Sequence, residues 1–167
     1  MANKKVVNAT PNEYNGIKFK SKTETRMYKA LLQYGITPDY ELNKYVLSPS
    51  MKTTVPFYNR TPKRGFHQMS SNVSAITYTP DFTFMLDNIF VIIEVKGKEN
   101  DTFPLKKNLF RKLIETFDYP VLFFEVRSKK ELLESLDIVK KYSNSFKKTK
   151  KYINGVPKSK RRKLGRR

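Results

Sequence analysis

The sequence predicts an α/β fold in which a mixed β-sheet is flanked by helices. Hydrophobic periodicity and turn signals give the order helix, three strands, helix, strand, helix. The run Ile89 to Ile93 is apolar at every position, which is typical of a strand that is covered on both faces. A chain of 167 residues has room for one domain with a sizeable core.

The first helix is predicted to begin at Ser21. Ser21 and Glu24 have the spacing of a capping box, in which each side chain satisfies a free backbone amide. Glu24 also shares the apolar stripe of Met27, Tyr28 and Leu31, so it should face the sheet. It is therefore either a simple cap or a third carboxylate in a functional site.

The helix should end near Gly35, and a strand should follow within residues 36–47. Glu41 lies in this segment and could lean toward an acidic site, although its spacing alone does not identify it as a ligand. Residues 48–76 are rich in Ser, Thr, Asn and Pro, and we interpret them as a loop inserted into the domain. Its basic residues, Arg60, Lys63 and Arg64, could bind DNA phosphates, or the loop could pack on its own domain. The single histidine, His67, has no partner that would make it a metal ligand.

A β-hairpin is predicted from residue 81 to residue 96, with Asp87 and Asn88 in its tight turn. In this register the numbers of paired residues sum to 175, so Asp81 lies opposite Glu94. Lys96 points to the same face, since side chains alternate along a strand. A three-residue turn would instead separate the two carboxylates.

Two carboxylates beside apolar surface repel each other and lose hydration, so they favour a compensating cation. Asp81 and Glu94 therefore suggest a Mg²⁺ site, because Mg²⁺ takes one or two protein carboxylates and keeps water ligands. Lys96 could orient or activate a water for attack on a phosphate. The alternative is that these side chains only decorate a solvated strand end.

A second helix should begin near Pro104, with its buried stripe on Leu105, Leu109, Leu113 and Phe117. Lys98, Lys106 and Lys107 lie near the proposed site and are candidates for phosphate contacts. For Arg111 and Lys112, a solvated basic helix face is at least as good an interpretation. A strand at 119–126 and a helix capped by Ser128 should complete the fold.

The net charge of +19 is concentrated at the C-terminal end. Residues 140–167 contain 13 Lys or Arg and no acidic residue, which leaves a net charge of +6 for residues 1–139. We therefore expect a flexible segment at 1–15, a folded domain at 16–142 and a disordered basic tail at 143–167. Lys160, Arg161, Arg162 and Lys163 are candidate nucleic-acid contacts; an anionic membrane surface, a solubilising tail or an import signal are the alternatives.

The absence of cysteine and of any apolar run near 20 residues favours a soluble protein of a reducing cytoplasm, with no membrane partner.

Several of these motifs together resemble a known enzyme superfamily. Pro80-Asp81 followed by Glu94-Val95-Lys96 resembles the PD-(D/E)XK nuclease signature. The longer run from Tyr78 to Phe82, with Phe90-Val91 and Gly97, is similar to the phage endonuclease I family of Holliday-junction resolvases. Phe19-x-Ser21-x-x-Glu24 and the segment 98–110 are similar to related small phage nucleases, and the likeness covers roughly residues 16–126.

The resemblance implies a restriction-endonuclease-like core in which Asp81, Glu94 and the Val95 carbonyl bind Mg²⁺, with Mn²⁺ as a substitute. It implies catalytic roles for Glu24, Asp81, Glu94 and Lys96, and a homodimer that cuts branched DNA, in a host cytoplasm if the protein is phage-encoded. The insertion at 48–76 is longer than the corresponding connection of the resolvases. The resemblance therefore does not fix the dimer geometry or the selectivity for junctions. Another nuclease of this superfamily in phage DNA processing or degradation, or a noncatalytic basic DNA-binding protein, are the alternatives.

Overall fold

The computed structural model describes residues 11–97 and 102–154, with side chains to residue 144. Within these residues the helices are α1 (Lys22–Gln33), α2 (Phe103–Ile114) and α3 (Lys129–Asn154). The strands are β1 (Asn12–Tyr14), β2 (Ile17–Phe19), β3 (Asp39–Tyr40), β4 (Tyr45–Ser48), β5 (Met51–Lys52), β6 (Tyr58–Thr61), β7 (Gly65–Gln68), β8 (Asn72–Val73), β9 (Ile76–Tyr78), β10 (Phe82–Leu86), β11 (Ile89–Val95) and β12 (Val121–Val126). The mixed α/β class is confirmed.

The central sheet has the strand order β12-β11-β10-β3. β11 is parallel to β12, whereas β10 is antiparallel to both of its neighbours. Phe82 pairs with Ile93 and Leu86 with Ile89, which is the register predicted from the two-residue turn. Asp87 and Asn88 have φ angles of 51° and 68°, the left-handed conformation that such a turn requires.

Two hydrophobic clusters cover the two faces of this sheet. The larger cluster packs α1 and α3 against one face and includes Val91 and Ile93 of β11. The smaller one lies on the other face and contains Ile92, Phe103 and Phe110. Because side chains alternate along β11, this single strand contributes to both clusters, as its continuous apolar run predicted.

The predicted helix boundaries are confirmed at three points. Ser21 accepts a hydrogen bond from the Glu24 amide at 3.2 Å, and Ser128 accepts one from the Glu131 amide at 3.2 Å. Gly35 follows α1 with a φ of +74°, as expected for a helix C-terminus.

The predicted stripe of α2 is confirmed only in part. Its three C-terminal residues are partly buried, but Leu105 is 60% exposed, and the buried side chains of the helix are Phe103 and Phe110. These two residues are seven apart, so they lie on one face of the helix, two turns from each other. Lys106 and Lys107 fall between them in sequence and are partly buried instead of lying on a solvated face.

The N-terminal boundary also differs from the prediction. Residues 12–14 were expected to be flexible but form β1, which pairs with β2 across Asn15 and Gly16. Both turn residues have positive φ angles, 52° and 75°. An Asn-Gly pair is a strong hairpin signal, so the sequence did contain the information.

The predicted loop at 48–76 forms paired strands instead. Three antiparallel pairs follow one another: β4 with β9, β5 with β8, and β6 with β7. They form one long, interrupted hairpin, which we call the β-arm (residues 45–78). The backbone hydrogen bonds of these paired strands satisfy part of the N–H and C=O groups of the segment. The segment therefore adopts regular structure although it contains few aliphatic residues.

Helix α3 continues past the predicted domain boundary at residue 142. Ser143 is only 1% exposed and its hydroxyl donates to Asp87 Oδ2 at 2.7 Å, which ties the helix to the turn of the β10–β11 hairpin. The tail was predicted to be disordered from residue 143, but its first part is helical as far as Asn154, and residues 155–167 lie outside the described residues. None of the helices in the described part of the chain is long and apolar enough to cross a membrane.

We predict that Ser143→Ala lowers the free energy of unfolding by about 1–2 kcal/mol, because Asp87 loses a buried hydrogen-bond donor. Urea unfolding of the full chain measures this change. Asn144→Ala is the matched control, since Asn144 is exposed on the same helix. Equal stabilities of the two variants would contradict a structural role for this contact.

Candidate functional site

The end of the β10–β11 hairpin brings Asp81 and Glu94 together. Asp81 directly precedes the Phe82–Ile93 pair, so it lies opposite Glu94, as predicted. Asp81 Oδ2 accepts a hydrogen bond from the Val95 amide at 2.6 Å. The carboxylate of one strand is therefore fixed to the backbone of the other.

Glu94 is 8% exposed, and both of its oxygens have partners. Oε2 accepts a hydrogen bond from the Tyr78 hydroxyl at 2.5 Å, and Oε1 accepts one from Lys96 Nζ at 2.7 Å. Lys96 Nζ also lies 3.0 Å from the centre of the Phe103 ring. The ammonium group is thus held between a carboxylate and an aromatic face, in a largely buried position.

The environment of Asp81 disfavours its charged form. Burial, and then the negative charge of Glu94, raise the pKa of Asp81 to about 8, although the Val95 hydrogen bond acts in the opposite direction. Glu24 and Glu41 add smaller contributions of the same sign. Asp81 forms no ion pair with any of the described residues. A cation at this position would remove the conflict.

Glu24 both caps α1 and contributes to this acidic environment. Its Oε1 accepts a hydrogen bond from Ser21 at 2.7 Å, and its Oε2 accepts from the Tyr40 hydroxyl at 2.6 Å and from the Lys20 amide at 3.0 Å. Tyr40 pairs with Phe82 across β3 and β10, next to Asp81. Glu24 therefore lies at the same end of the sheet, without a direct hydrogen bond to Asp81 or Glu94.

Glu41 is closer to the site than its spacing suggested. It has a φ of +46°, unusual for a residue other than glycine, and its amide donates to the Asp81 carbonyl at 2.9 Å. Its side chain forms an ion pair with Lys20. The strained backbone ties Glu41 to the main chain of Asp81, and its carboxylate, which pairs with Lys20, adds a small negative contribution to the environment of Asp81.

Glu125 is a further acidic residue that the sequence reasoning missed. It pairs with Glu94 in the parallel β11–β12 ladder, so both side chains are on the same face of the sheet. Lys107, predicted to contact DNA, forms an ion pair with Glu125 at 2.8 Å. The available signal was a single glutamate, next to the last residue of an otherwise apolar strand at 121–126.

The remaining predicted DNA contacts fall in three places. Arg60, Lys63 and Arg64 are exposed on the β6–β7 hairpin of the β-arm, and Lys106 is partly buried on α2. Lys98 and the tail residues Lys160, Arg161, Arg162 and Lys163 lie outside the described residues.

The donor set fits a hard divalent cation. Two carboxylates on facing strands, with the Val95 carbonyl on the same strand as Glu94, are the oxygen ligands that Mg²⁺ prefers when water completes its coordination. Across the described residues, no three metal-binding side chains are close enough to form a cluster on their own. Asp81 and Glu94 are thus the pair around which a metal site would form.

The fold and the site together define a mixed α/β domain with an acidic site and a lysine at one end of its sheet. The chain belongs to the DUF1064 family, described as a protein of unknown function, whose profile matches residues 4–131. The match spans Glu24, Asp81, Glu94 and Lys96 and ends at the start of α3. No curated protein and no solved structure matches the chain significantly.

We predict that Asp81→Asn stabilises the metal-free protein, and that the gain increases with pH. Folding raises the pKa of Asp81 from near 4 to about 8. The contribution of this group to the free energy of unfolding of the wild type is therefore fully present below about pH 4 and is lost as the pH rises toward 8. Asparagine cannot ionise and avoids this loss.

Thermal unfolding in EDTA at several pH values between about 5 and 8 tests the prediction. Asp39→Asn on neighbouring β3 is the control, since Asp39 is exposed. A gain that is the same at every pH would argue against ionisation of Asp81 as the cause.

Proposed function

We propose that this protein is a Mg²⁺-dependent endonuclease that hydrolyses phosphodiester bonds in DNA, with a core of the PD-(D/E)XK type. The observation that carries the proposal is the convergence of Asp81, Glu94 and Lys96 at one end of the hairpin. Each has a defined partner there: the Val95 amide for Asp81, and Lys96 for Glu94. The net charge of +19 supports a polyanionic substrate.

Asp81, Glu94 and the Val95 carbonyl would hold the metal ion. A bound Mg²⁺, or Mn²⁺ in its place, would stabilise charge on the phosphate and lower the pKa of water. The metal would also supply positive charge to Asp81, whose ionised form is disfavoured by burial and by the neighbouring charge of Glu94.

Lys96 is proposed to orient the attacking water and to stabilise negative charge on the phosphate. An ammonium group has three N–H donors, and Glu94 accepts only one of them. The Phe103 ring restricts where the group can move, so the donors remain near the carboxylates. A positioned cation of this kind acts without reorganisation during the reaction.

Tyr78 and Tyr40 are proposed as positioning residues for the acidic groups. Burial and the neighbouring Glu94 charge raise the pKa of Tyr78, and burial and Glu24 raise that of Tyr40. Both hydroxyls therefore stay protonated at neutral pH and donate to Glu94 and Glu24, respectively. Glu24 completes the acidic site directly or through water.

Branched DNA is the proposed substrate, with a four-way junction as the first choice. Resolving a junction requires two opposed cuts, so we propose that a homodimer supplies two sites. The proposal of a junction depends on the motif resemblance at Tyr78 to Gly97, while the proposal of phosphodiester hydrolysis depends on the site geometry.

We predict that Glu94→Gln reduces Mg²⁺-dependent cleavage of a four-way junction at least about 100-fold. The neutral amide is a weaker metal ligand than the carboxylate and does not form an ion pair with Lys96. Glu115→Gln, an exposed change at the end of α2, should leave cleavage unchanged. Rates on the junction and on a linear duplex of matched sequence measure both activity and selectivity.

Equal rates on the two DNAs would favour a nuclease without junction selectivity. Binding without cleavage by the wild-type protein, in either Mg²⁺ or Mn²⁺, would contradict the enzymatic proposal and favour a noncatalytic DNA-binding protein.

We also predict that Mn²⁺ or Mg²⁺ raises the melting temperature of the wild-type protein but not that of Asp81→Asn or Glu94→Gln. A ligand that binds only the folded state stabilises it by mass action, and each variant removes a ligand. Differential scanning fluorimetry across a metal titration measures the shift, with Ca²⁺ and Glu115→Gln as comparisons. An equal shift in the wild type and both variants would place the metal elsewhere.

A further inference from the structure

The β6–β7 hairpin of the β-arm has one face on which all four side chains are exposed. Tyr58 pairs with Gln68 and Arg60 with Phe66, so the four side chains share a face because residues alternate along each strand. Tyr58 is 55% exposed and Phe66 is 74% exposed. We call this set of four residues the aromatic face.

The two rings of the aromatic face are free to contact a ligand. Neither ring packs against another aromatic ring among the described residues, although the aromatic side chains of the domain core contact each other extensively. The guanidinium of Arg60 forms no ion pair with any described residue. Opposed side chains in an antiparallel ladder have Cβ atoms roughly 5 Å apart, so Arg60 and Phe66 are neighbours.

The charge of the β-arm indicates which partner would cover this face. Residues 42–80 contain five Lys or Arg and no Asp or Glu. Arg60, together with Lys63 and Arg64 at the turn, places three of these charges on the β6–β7 hairpin. A second copy of the same surface would bring like charges together, whereas a polyanion would neutralise them.

We propose that the aromatic face binds unpaired bases of single-stranded or branched DNA. Tyr58 and Phe66 stack on bases, and Arg60 neutralises the adjoining phosphate, the combination that single-strand binding surfaces use. Bases inside a duplex are already stacked, so exposed rings on a hairpin discriminate against intact duplex. The inference rests on the proposed action on DNA and names the structural feature of the DNA that is recognised.

The first test measures equilibrium binding in EDTA, where no metal-dependent cleavage occurs. Fluorescence anisotropy compares labelled single-stranded DNA of about 20 nucleotides with a duplex of the same length. For the Y58A/F66A double variant we expect an affinity loss of about tenfold or more on the single strand, and less than about threefold on the duplex. Met85→Ala is the control, because Met85 is 58% exposed on β10 and lies outside the β-arm.

The second test uses the absence of tryptophan from the sequence. Phe66→Trp creates the only tryptophan of the sequence on the aromatic face, where it is excited selectively at wavelengths that the tyrosines do not absorb, and stacking on a base should quench its emission. We expect strong quenching by single-stranded DNA and weak quenching by duplex at equal occupancy. This conservative variant also keeps a ring at residue 66, so its single-strand affinity should match or exceed that of the wild type.

Three results would overturn the proposal: equal affinity losses on both DNAs, no loss in the double variant, or no quenching at saturating single strand. Loss of self-association in sedimentation, with single-strand affinity intact, would also overturn it and assign the face to a dimer contact. Because binding is measured without metal, a protein that never cleaves DNA can still satisfy the inference. Conversely, a cleaving enzyme whose double variant binds normally refutes the inference alone.

Discussion

The pairing register of β10 and β11 is the constraint on which the site depends. Because Phe82 faces Ile93, Asp81 meets Glu94, and the Val95 amide reaches the Asp81 carboxylate at 2.6 Å. A shift of one residue would reverse every side chain of a strand and send the two carboxylates to opposite faces. The left-handed turn and the apolar residues on both faces of β11 hold this register, so the stability of the core and the geometry of the site have the same origin.

The sequence predicted the parts of the molecule that depend on local contacts. The turn at residues 87–88, the cap at Ser21 and the alternation along β11 each involve neighbours in sequence, and each was confirmed. The pairing of Asp81 with Glu94 was predicted from the turn, because the position of a two-residue turn fixes which residues of the two strands lie opposite each other.

Features that depend on distant pairing were not predicted. The inner strands of the β-arm, β5 to β8, are two to four residues long and mostly polar, so only their partners on the returning chain make them recognisable. The meeting of Glu125 with Glu94 required the parallel register of β11 and β12, which no local signal gives. The stripe of α2 was assigned to three leucines and Phe117, but the aromatic residues Phe103 and Phe110 are the side chains that are buried over the sheet.

Tyr78 connects the β-arm to the acidic site. It is the last residue of β9, the strand that closes the arm, and it donates to Glu94 Oε2 at 2.5 Å. Its ring also lies 4.6 Å from that of Phe110, centre to centre, which anchors the base of the arm on α2. Tyr78 therefore contacts both α2 and one of the proposed metal ligands. Because burial and the charge of Glu94 raise the pKa of Tyr78, its hydroxyl stays a donor to Glu94 Oε2, and Tyr78 and Lys96 together orient this carboxylate.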